Sequence, residues 1–256
     1  MNNLKITFLG TGTSQGIPVI GSTHPVCFSS DKKDKRLRVA LLMQWEDFTY
    51  VIDCGPDFRY QMLRANVNKI DGVLITHEHA DHIAGLDDLR PFSFQLGAVP
   101  MYAQKRVLDN LSYRFEYIFN DKNKYPGTPS IVKNEVSKSP FVIKNLEVIP
   151  IEINHGELLI LGYRFKNVAY LTDVKSIPAK ELGKLKNLDV LILSAIRLKP
   201  HHSHLNLEEA LNLISIIKPK KTYLTHISHH LGFHAEVERT LPKNVHLAYD
   251  ELVLEV

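Results

Sequence analysis

The sequence predicts a layered α/β fold, an αββα sandwich, in which two mixed β-sheets face each other and helices cover their outer sides. Each half of the chain runs strand-like segments first and helix-like segments after them. Residues 188–193 form an unbroken apolar run, which is typical of a buried strand. The chain has 256 residues, 44% of them apolar, which suffices for a sizeable core. We therefore expect a single domain over residues 1–256.

The first half contains short strands separated by turns. Residues 4–9 alternate apolar and polar side chains, as a half-buried strand does. We also predict strands at residues 37–43, 48–52 and 70–75, and helices at 57–65 and 83–89. Residues 91–139 carry many aromatic side chains between prolines and polar turns. A helix over residues 104–119 is expected there, and the aromatic side chains either join the core or line a flap over a substrate.

The second half repeats this order of elements. Strands are predicted at residues 146–153, 158–165, 168–171, 188–193, 222–225, 245–249 and 252–256. Asn206 begins a helix, because Glu209 stands three residues later as the partner in a capping box. Apolar residues then recur at helical spacing up to Ile217, so this helix packs one face on the core.

The composition argues against several classes of protein. Charged residues make up 23% of the chain, which argues against disorder, and the formal charge of +3 gives no reason to expect binding to nucleic acid. No apolar run approaches the roughly 20 residues of a membrane span, and the N-terminus lacks the apolar stretch of a signal peptide. Two cysteines are too few for a secreted disulfide scaffold. We expect a cytoplasmic enzyme that acts without a membrane.

The strongest functional signal is the histidine motif at residues 76–82, Thr-His-Glu-His-Ala-Asp-His. It follows the apolar strand at 70–75, where His77 and His79 point to one side of an extended segment. Asp81 and His82 then turn toward a second point a few ångströms away. The alternative, a solvated histidine-rich loop, does not account for the strand before the motif. The motif therefore predicts ligands for two adjacent cations.

Two cations need more ligands than the motif offers. His155, Asp173 and His226 each follow an apolar, strand-like run in the second half. Each of them alone would more often be a capping or surface residue, but together they complete two sites with imidazole and carboxylate donors. Such donors suit Zn, Mn and Fe alike. The glycine-rich loop at residues 10–16 lacks the spacing of a dinucleotide-binding motif, and we interpret it as a turn that brings backbone close to the metal site.

These motifs resemble the metallo-β-lactamase superfamily. Within it, the chain is similar to the phosphodiesterase branch that includes the phosphonate-pathway cyclic phosphate phosphodiesterase, and more distantly to ribonuclease Z. The similar stretches span most of the chain, namely residues 8–18, 52–55, 76–82, 154–155, 171–173, 202–206 and 224–229. The resemblance implies a metallo-β-lactamase-like fold. It also implies that a hydroxide activated by two cations cleaves a small or cyclic phosphodiester.

The resemblance also implies a role for each ligand. His77, His79 and His155 would hold one cation, whereas Asp81, His82 and His226 would hold the other. Asp173 would bridge the two cations, and Asp81 would serve both as a ligand and as a catalytic residue. Asp53 would orient a ligand, although an ordinary turn carboxylate is the alternative.

The proton for the leaving group is assigned to His202, which aligns with the general acid of the similar phosphodiesterase. His201 and His204 are close rivals, and a solvated loop is the alternative. The resemblance further suggests a third, structural zinc held by His24, Cys27 and His229. His24 and Cys27 have the spacing of zinc ligands, but the remaining position of that site is Ser22, a poor donor. A buried free thiol is the alternative for Cys27.

Three other functions stay open. A carboxylic-ester, thioester or lactone hydrolase on the same fold is one, although the region around His202 favours a phosphodiesterase. A nuclease that processes tRNA 3′ ends is another, but no basic patch or long insertion indicates an arm that grips tRNA. A purely structural metal protein would not need seven ligands around two cations. A small phosphodiester is the expected partner, and a homodimer is expected by analogy alone.

Overall fold

The structure is a computed structural model that describes residues 4–120, 122 and 124–256. Residues 1–3, on which the expected lack of a signal peptide partly depends, lie outside the described residues. The first sheet consists of seven strands, β1 (Lys5–Gly10), β2 (Ala40–Trp45), β3 (Phe48–Ile52), β4 (Gly72–Leu74), β5 (Val99–Ala103), β6 (Ile131–Glu135) and β14 (Val253–Glu255). Their order across the sheet is β14-β1-β2-β3-β4-β5-β6. Its strands from β3 to β6 are parallel, and the others are antiparallel.

The second sheet mirrors the first, in the order β13-β12-β11-β10-β9-β8-β7. It consists of β7 (Phe141–Ile143), β8 (Leu146–His155), β9 (Leu158–Phe165), β10 (Val168–Leu171), β11 (Val190–Ser194), β12 (Lys221–Thr225) and β13 (Val245–Leu247). Here β10 to β13 are parallel, whereas β7 to β10 are antiparallel. Both sheets are therefore mixed, as the sequence predicts.

The helices lie on the outer faces of the two sheets. They are α1 (Phe58–Arg64), α2 (Ala80–Ile83), α3 (Arg90–Leu96), α4 (Lys105–Arg114), α5 (Glu116–Phe119), α6 (Leu207–Ile217) and α7 (His234–Glu238). One apolar cluster fills the space between the sheets, a second lies under α1 to α4, and a third lies under α6 and α7. This arrangement confirms the αββα sandwich.

Residues 91–139 differ most from the sequence-based expectation. The helix predicted over 104–119 is interrupted at Phe115, whose φ of −115° and ψ of 49° separate α4 from α5. The same stretch contains β5 and β6, which the sequence analysis did not identify. β6 lies at the edge of its sheet with side chains that are half-buried or exposed, so it lacks the apolar run or strict alternation from which a strand is predicted. The helix expected to start at Asn206 does so, with the full capping box to Glu209.

The described helices are short relative to a bilayer. The longest, α6, has 11 residues, and none is long and apolar enough to cross a membrane.

Candidate dinuclear metal site

The predicted ligands meet where strands of both sheets end. The histidine motif follows β4 of the first sheet, whereas Asp173 and His226 follow β10 and β12 of the second sheet. His155 is the last residue of β8. Because parallel strands end at the same edge of a sheet, ligands distant in sequence come together there.

Three residues at this edge have positive φ angles. These are Asp53 (65°), Asp173 (57°) and His226 (55°), each within two residues of the end of a strand. Such backbone costs of order 1–3 kcal/mol per residue and tends to occur at functional sites. Asp53 is completely buried, and the backbone N–H of Thr76 donates to its Oδ1 at 2.8 Å.

The first set of ligand atoms consists of His77, His79 and His155, whose nitrogens lie within 4.8 Å of one another. His77 Nε2 lies 3.0 Å from His79 Nδ1. His155 Nδ1 lies 2.9 Å from the carbonyl oxygen of Ser203. We assign the proton to Nδ1 as the donor in this bond, which leaves the Nε2 lone pair for a cation.

The second set consists of Asp81, His82 and His226. His82 Nδ1 lies 2.7 Å from Asp53 Oδ2, so the carboxylate orients the ring and His82 Nε2 faces the site. That Nε2 atom lies 3.4 Å from Asp81 Oδ2, and His226 Nε2 lies 3.6 Å from the same oxygen. The arrangement matches the orienting role that the resemblance implies for Asp53.

Asp173 lies between the two sets. Its Oδ2 is 3.3 Å from His82 Nε2, and its Oδ1 is 3.3 Å from His226 Nε2 and 3.9 Å from His155 Nε2. Within 4.8 Å, Asp173 groups with His77 and His82, and also with His155 and His204. One carboxylate can therefore contact a cation on each side.

The hydrogen bonding of these residues fits cations. His82 Nε2, both ring nitrogens of His226 and His204 Nδ1 are buried and have no hydrogen-bond partner among the described residues. A buried polar atom without a partner costs about 1–3 kcal/mol, and native structures rarely leave several together. Divalent cations would satisfy the nitrogens that face Asp81 and Asp173, among them His82 Nε2 and His226 Nε2.

Electrostatics favour the ligand forms of several of these groups. Burial alone would raise the pKa of Asp173, but His226 and His82 hold it well below its usual range. Burial and the neighbouring His82 hold the pKa of His77 well below its usual value, so its ring is neutral. Burial opposes the charged form of His82, yet Asp81 and Asp53 raise its pKa well above the ordinary value. A cation would therefore replace a proton on His82.

A glycine allows the motif to approach the strand ends. A side chain at Gly55 would place its Cβ 2.0 Å from the carbonyl oxygen of Asp81, so only glycine fits there. In the glycine-rich loop, Gly12 pairs with Ile227, the residue after His226. The loop thus packs beside a ligand, in agreement with the close approach that the sequence predicts.

The loop after β11 carries the candidate proton donors. His202 is exposed, and its ring stacks on His201 at 4.5 Å between centroids. His204 is buried, and its Nδ1 lies 3.6 Å from Asp173 Oδ1. The geometry therefore favours His204, which was only a rival candidate on sequence grounds. His204 stands two residues before the capping residue Asn206, and the N–H of the intervening Leu205 donates to the carbonyl oxygen of Val174 at 2.7 Å, next to Asp173. The assignment of His202 stays a prediction.

The residues proposed for a third metal are only partly brought together. The rings of His24 and His229 lie 5.0 Å apart, and Ser22 Oγ accepts from the His24 N–H. Cys27 lies in a separate apolar cluster with Ile17 and Val26, and its Sγ accepts from the backbone of Val19 at 3.5 Å. Among the described residues, the groups of three whose ligand atoms all lie within 4.8 Å of one another do not include His24, Cys27 or His229. The third site stays a prediction, and the geometry favours packing for the thiol.

Comparison with known proteins indicates the family of this chain. The family model described as "Beta-lactamase superfamily domain" matches residues 49–227, which include all seven predicted ligands of the dinuclear site. A crystal structure of "a New Diphosphatase from the PhnP Family" is 42% identical and covers 99% of this chain and 97% of its own, with a TM-score of 0.93.

Two curated relatives carry different names. An octanoyltransferase of Porphyromonas gingivalis is 42% identical over 97% of this chain but only 51% of its own length. A ribonuclease Z of Methanococcus maripaludis is 25% identical over 74% of this chain and 55% of its own. The chain thus spans about half the length of each. From the family model and the highly similar diphosphatase structure, we conclude that this chain belongs to the metallo-β-lactamase superfamily of hydrolases and, within it, to the PhnP family.

Proposed function

We propose that this protein is a two-metal hydrolase of small phosphate esters and anhydrides, namely linear or cyclic phosphodiesters and diphosphates. The observation that carries the proposal is the position of Asp173 between two sets of ligands, because it allows two cations to share one carboxylate. Paired cations about 3.5–4 Å apart are typical of enzymes that displace groups at phosphorus. The similarity to a diphosphatase supports the same class of substrate.

The charge of the site favours an anionic substrate. Two divalent cations would bring four positive charges, whereas the groups that would contact them, Asp81, Asp173 and a hydroxide, bring three negative charges. Asp53 lies behind the His82 ring and would act on the cations only from a greater distance. The net positive charge lies among buried histidines, where the dielectric is low and the attraction for phosphate oxygens is strong. A neutral ester gains less from this field.

Each residue has a separate task in the proposed reaction. Cations held by the seven ligands would make a hydroxide available near pH 7 and would polarise the phosphoryl group. Asp53 fixes the His82 ring, and Asp173 sets the spacing between the two sets of ligands. His204 lies next to Asp173, where its ring can hold a proton or donate a hydrogen bond to a leaving oxygen. His202 would act only if the loop moved inward.

A second candidate is hydrolysis of a carboxylic ester, thioester or lactone, and the octanoyltransferase name of one relative is the reason to test it. That relative is about twice as long as the matched part, so its name covers more than this chain. Acyl transfer through a cysteine is disfavoured here, because Cys27 and Cys54 are both buried. Burial and the nearby Asp53 also raise the pKa of the Cys54 thiol, which keeps it protonated.

The proposal is tested with the purified protein loaded in turn with Zn²⁺, Mn²⁺ and Fe²⁺. The panel comprises a cyclic phosphodiester, a linear aryl phosphodiester, a dinucleoside diphosphate, a precursor tRNA, an aryl acetate and an octanoyl thioester. We expect phosphorus diesters or diphosphates to be cleaved at least about 100-fold faster than carboxylic esters. The Asp173→Asn variant serves as control and should lose this activity. Faster cleavage of the thioester would refute the proposal, whereas faster cleavage of the precursor tRNA would assign a nuclease. Whether the protein is a homodimer stays a prediction.

A further inference from the structure

Helix α4 lies beside the histidine motif and contacts it through two arginines. Arg106, the second residue of this helix, forms an ion pair with the carboxylate of Glu78. Arg114, its last residue, donates from Nη1 to the carbonyl oxygen of Glu78 at 2.9 Å. Glu78 is the residue between His77 and His79. Both ends of α4 therefore hold the peptide segment that carries two of the predicted ligands.

The same arginine also reaches the other sheet. Arg106 Nη2 donates to the carbonyl oxygen of Leu159 in β9 at 2.9 Å. Leu159 pairs with Asn154 in the hairpin of β8 and β9, and the next pair in that register is His155 with Leu158. One planar guanidinium thus joins the segment that carries His77 and His79 to the hairpin that carries His155. These two segments belong to different sheets.

Within the first set, His79 lacks the side-chain support that His82 has in the second set. His82 is held by Asp53, a buried carboxylate. The His79 side chain, by contrast, is exposed, and among the described residues its ring hydrogen-bonds to the ring of His77, itself a ligand. On its C-terminal side, the His79 carbonyl oxygen accepts from the His82 N–H at 3.0 Å. On its N-terminal side, the contacts of α4 with Glu78 hold the segment.

We infer that Arg106 is a positioning residue for the cation held by His77, His79 and His155, acting through Glu78 and the β8–β9 hairpin. The alternative is an ordinary surface ion pair, which contributes little, and the Arg106 side chain is 41% exposed. Lys105 and Asp109 form such a pair on the same helix, with side chains 68% and 64% exposed, and provide a matched control.

The test measures metal affinity in addition to activity. Metal-free wild type, Arg106→Ala, Arg106→Lys and the control Lys105→Ala are titrated with Zn²⁺ against a chromophoric chelator. Loss of groups that orient ligands typically weakens metal binding about 10–100-fold. We expect one of the two Zn²⁺ equivalents to bind about 10–100-fold more weakly in Arg106→Ala. The loss of affinity should be smaller in Arg106→Lys and absent in Lys105→Ala. Lysine keeps the charge but cannot bridge two acceptors as the guanidinium fork does.

Activity at varied metal concentration completes the test. The inference rests on the proposed function for the identity of the site, but its affinity readout does not depend on the substrate. We expect Arg106→Ala to lose kcat at limiting Zn²⁺ and to recover it in excess Zn²⁺, with KM unchanged. The inference would be overturned if Arg106→Ala bound both metal equivalents equally more weakly, or if it kept wild-type metal affinity, with or without a lowered Tm. It would also be overturned if the wild type bound no metal. Two intact metal equivalents in a wild type without phosphodiesterase activity would refute the proposed function alone.

Discussion

The choice between His204 and His202 as the group that assists the leaving oxygen gives the sharpest prediction. A proton donor must come within about 2.6–3.2 Å of the oxygen that it protonates. His204 Nδ1 already lies 3.6 Å from Asp173 Oδ1, beside the predicted cations. His202 is separated from His204 by the ring of His201. The His202 ring stacks on His201, and the His201 ring centroid is 4.9 Å from that of His204. Only His204 reaches the reacting centre without a movement of the loop.

We expect His204→Ala to slow the hydrolysis of an unactivated alkyl phosphodiester about 10²–10⁴-fold, the usual contribution of a general acid. This factor corresponds to about 2.7–5.4 kcal/mol of activation free energy, at 1.36 kcal/mol for each factor of ten. His202→Ala should cost less than about tenfold. Both variants are compared after metal loading, with kcat/KM measured on the alkyl diester and on a 4-nitrophenyl diester.

The two substrates distinguish a proton donor from a hydrogen-bond donor. Burial, with the neighbouring His226, lowers the pKa of His204 to about 3, so the ring is neutral at pH 7 before an anionic substrate binds. If bound phosphate raises that pKa and His204 protonates the leaving group, the loss should nearly vanish for 4-nitrophenolate, which leaves unaided. An equal loss on both diesters would instead show that a neutral ring stabilises the phosphoryl group. A larger loss for His202→Ala than for His204→Ala would refute the geometric argument.

Three further predictions follow from the described contacts. Elemental analysis should find about two metals per wild-type chain, about one in His79→Ala and almost none in Asp173→Ala, because Asp173 lies between both sets of ligands. Equal metal content in the wild type and both variants would contradict the shared carboxylate. Cys27→Ala should keep the wild-type metal content and lower Tm, because the thiol packs in an apolar cluster; loss of one equivalent would instead establish the third site. Burial, with the nearby Arg36, lowers the pKa of His234 from 6.5 to about 4. Between these pH values His234 therefore binds a proton in the unfolded chain but not in the folded chain. The free energy of unfolding should therefore fall by at most roughly 3 kcal/mol as pH falls from 6.5 to 4, and denaturant unfolding with chelator present should show a smaller fall in His234→Gln. An identical pH dependence in that variant would exclude His234 as the cause.

Local patterns in the sequence were enough to predict much of this protein. The histidine motif indicated two cations, because ligand type and spacing are local properties of the chain. The capping box at Asn206 and the apolar run at 188–193 likewise predicted elements that the structure contains, since caps and apolar periodicity act within a few residues. The facing sheets and the superfamily were predicted from the same order of elements and motifs, and both are confirmed.

Tertiary structure alone decided which polar residues face the site. His201, His202 and His204 have similar sequence contexts, but only the packing of their loop buries His204 beside Asp173 and leaves His202 in solvent. The bridge made by Arg106 joins segments 28 and 53 residues away from it, so no local pattern could reveal it. The periodicity of apolar residues indicates which side of a helix or strand is buried. Which residue of the other sheet a side chain contacts depends on how the two sheets pack together. That is why local motifs were enough to name the candidate ligands, whereas the contacts of Arg106 appear only in the tertiary structure.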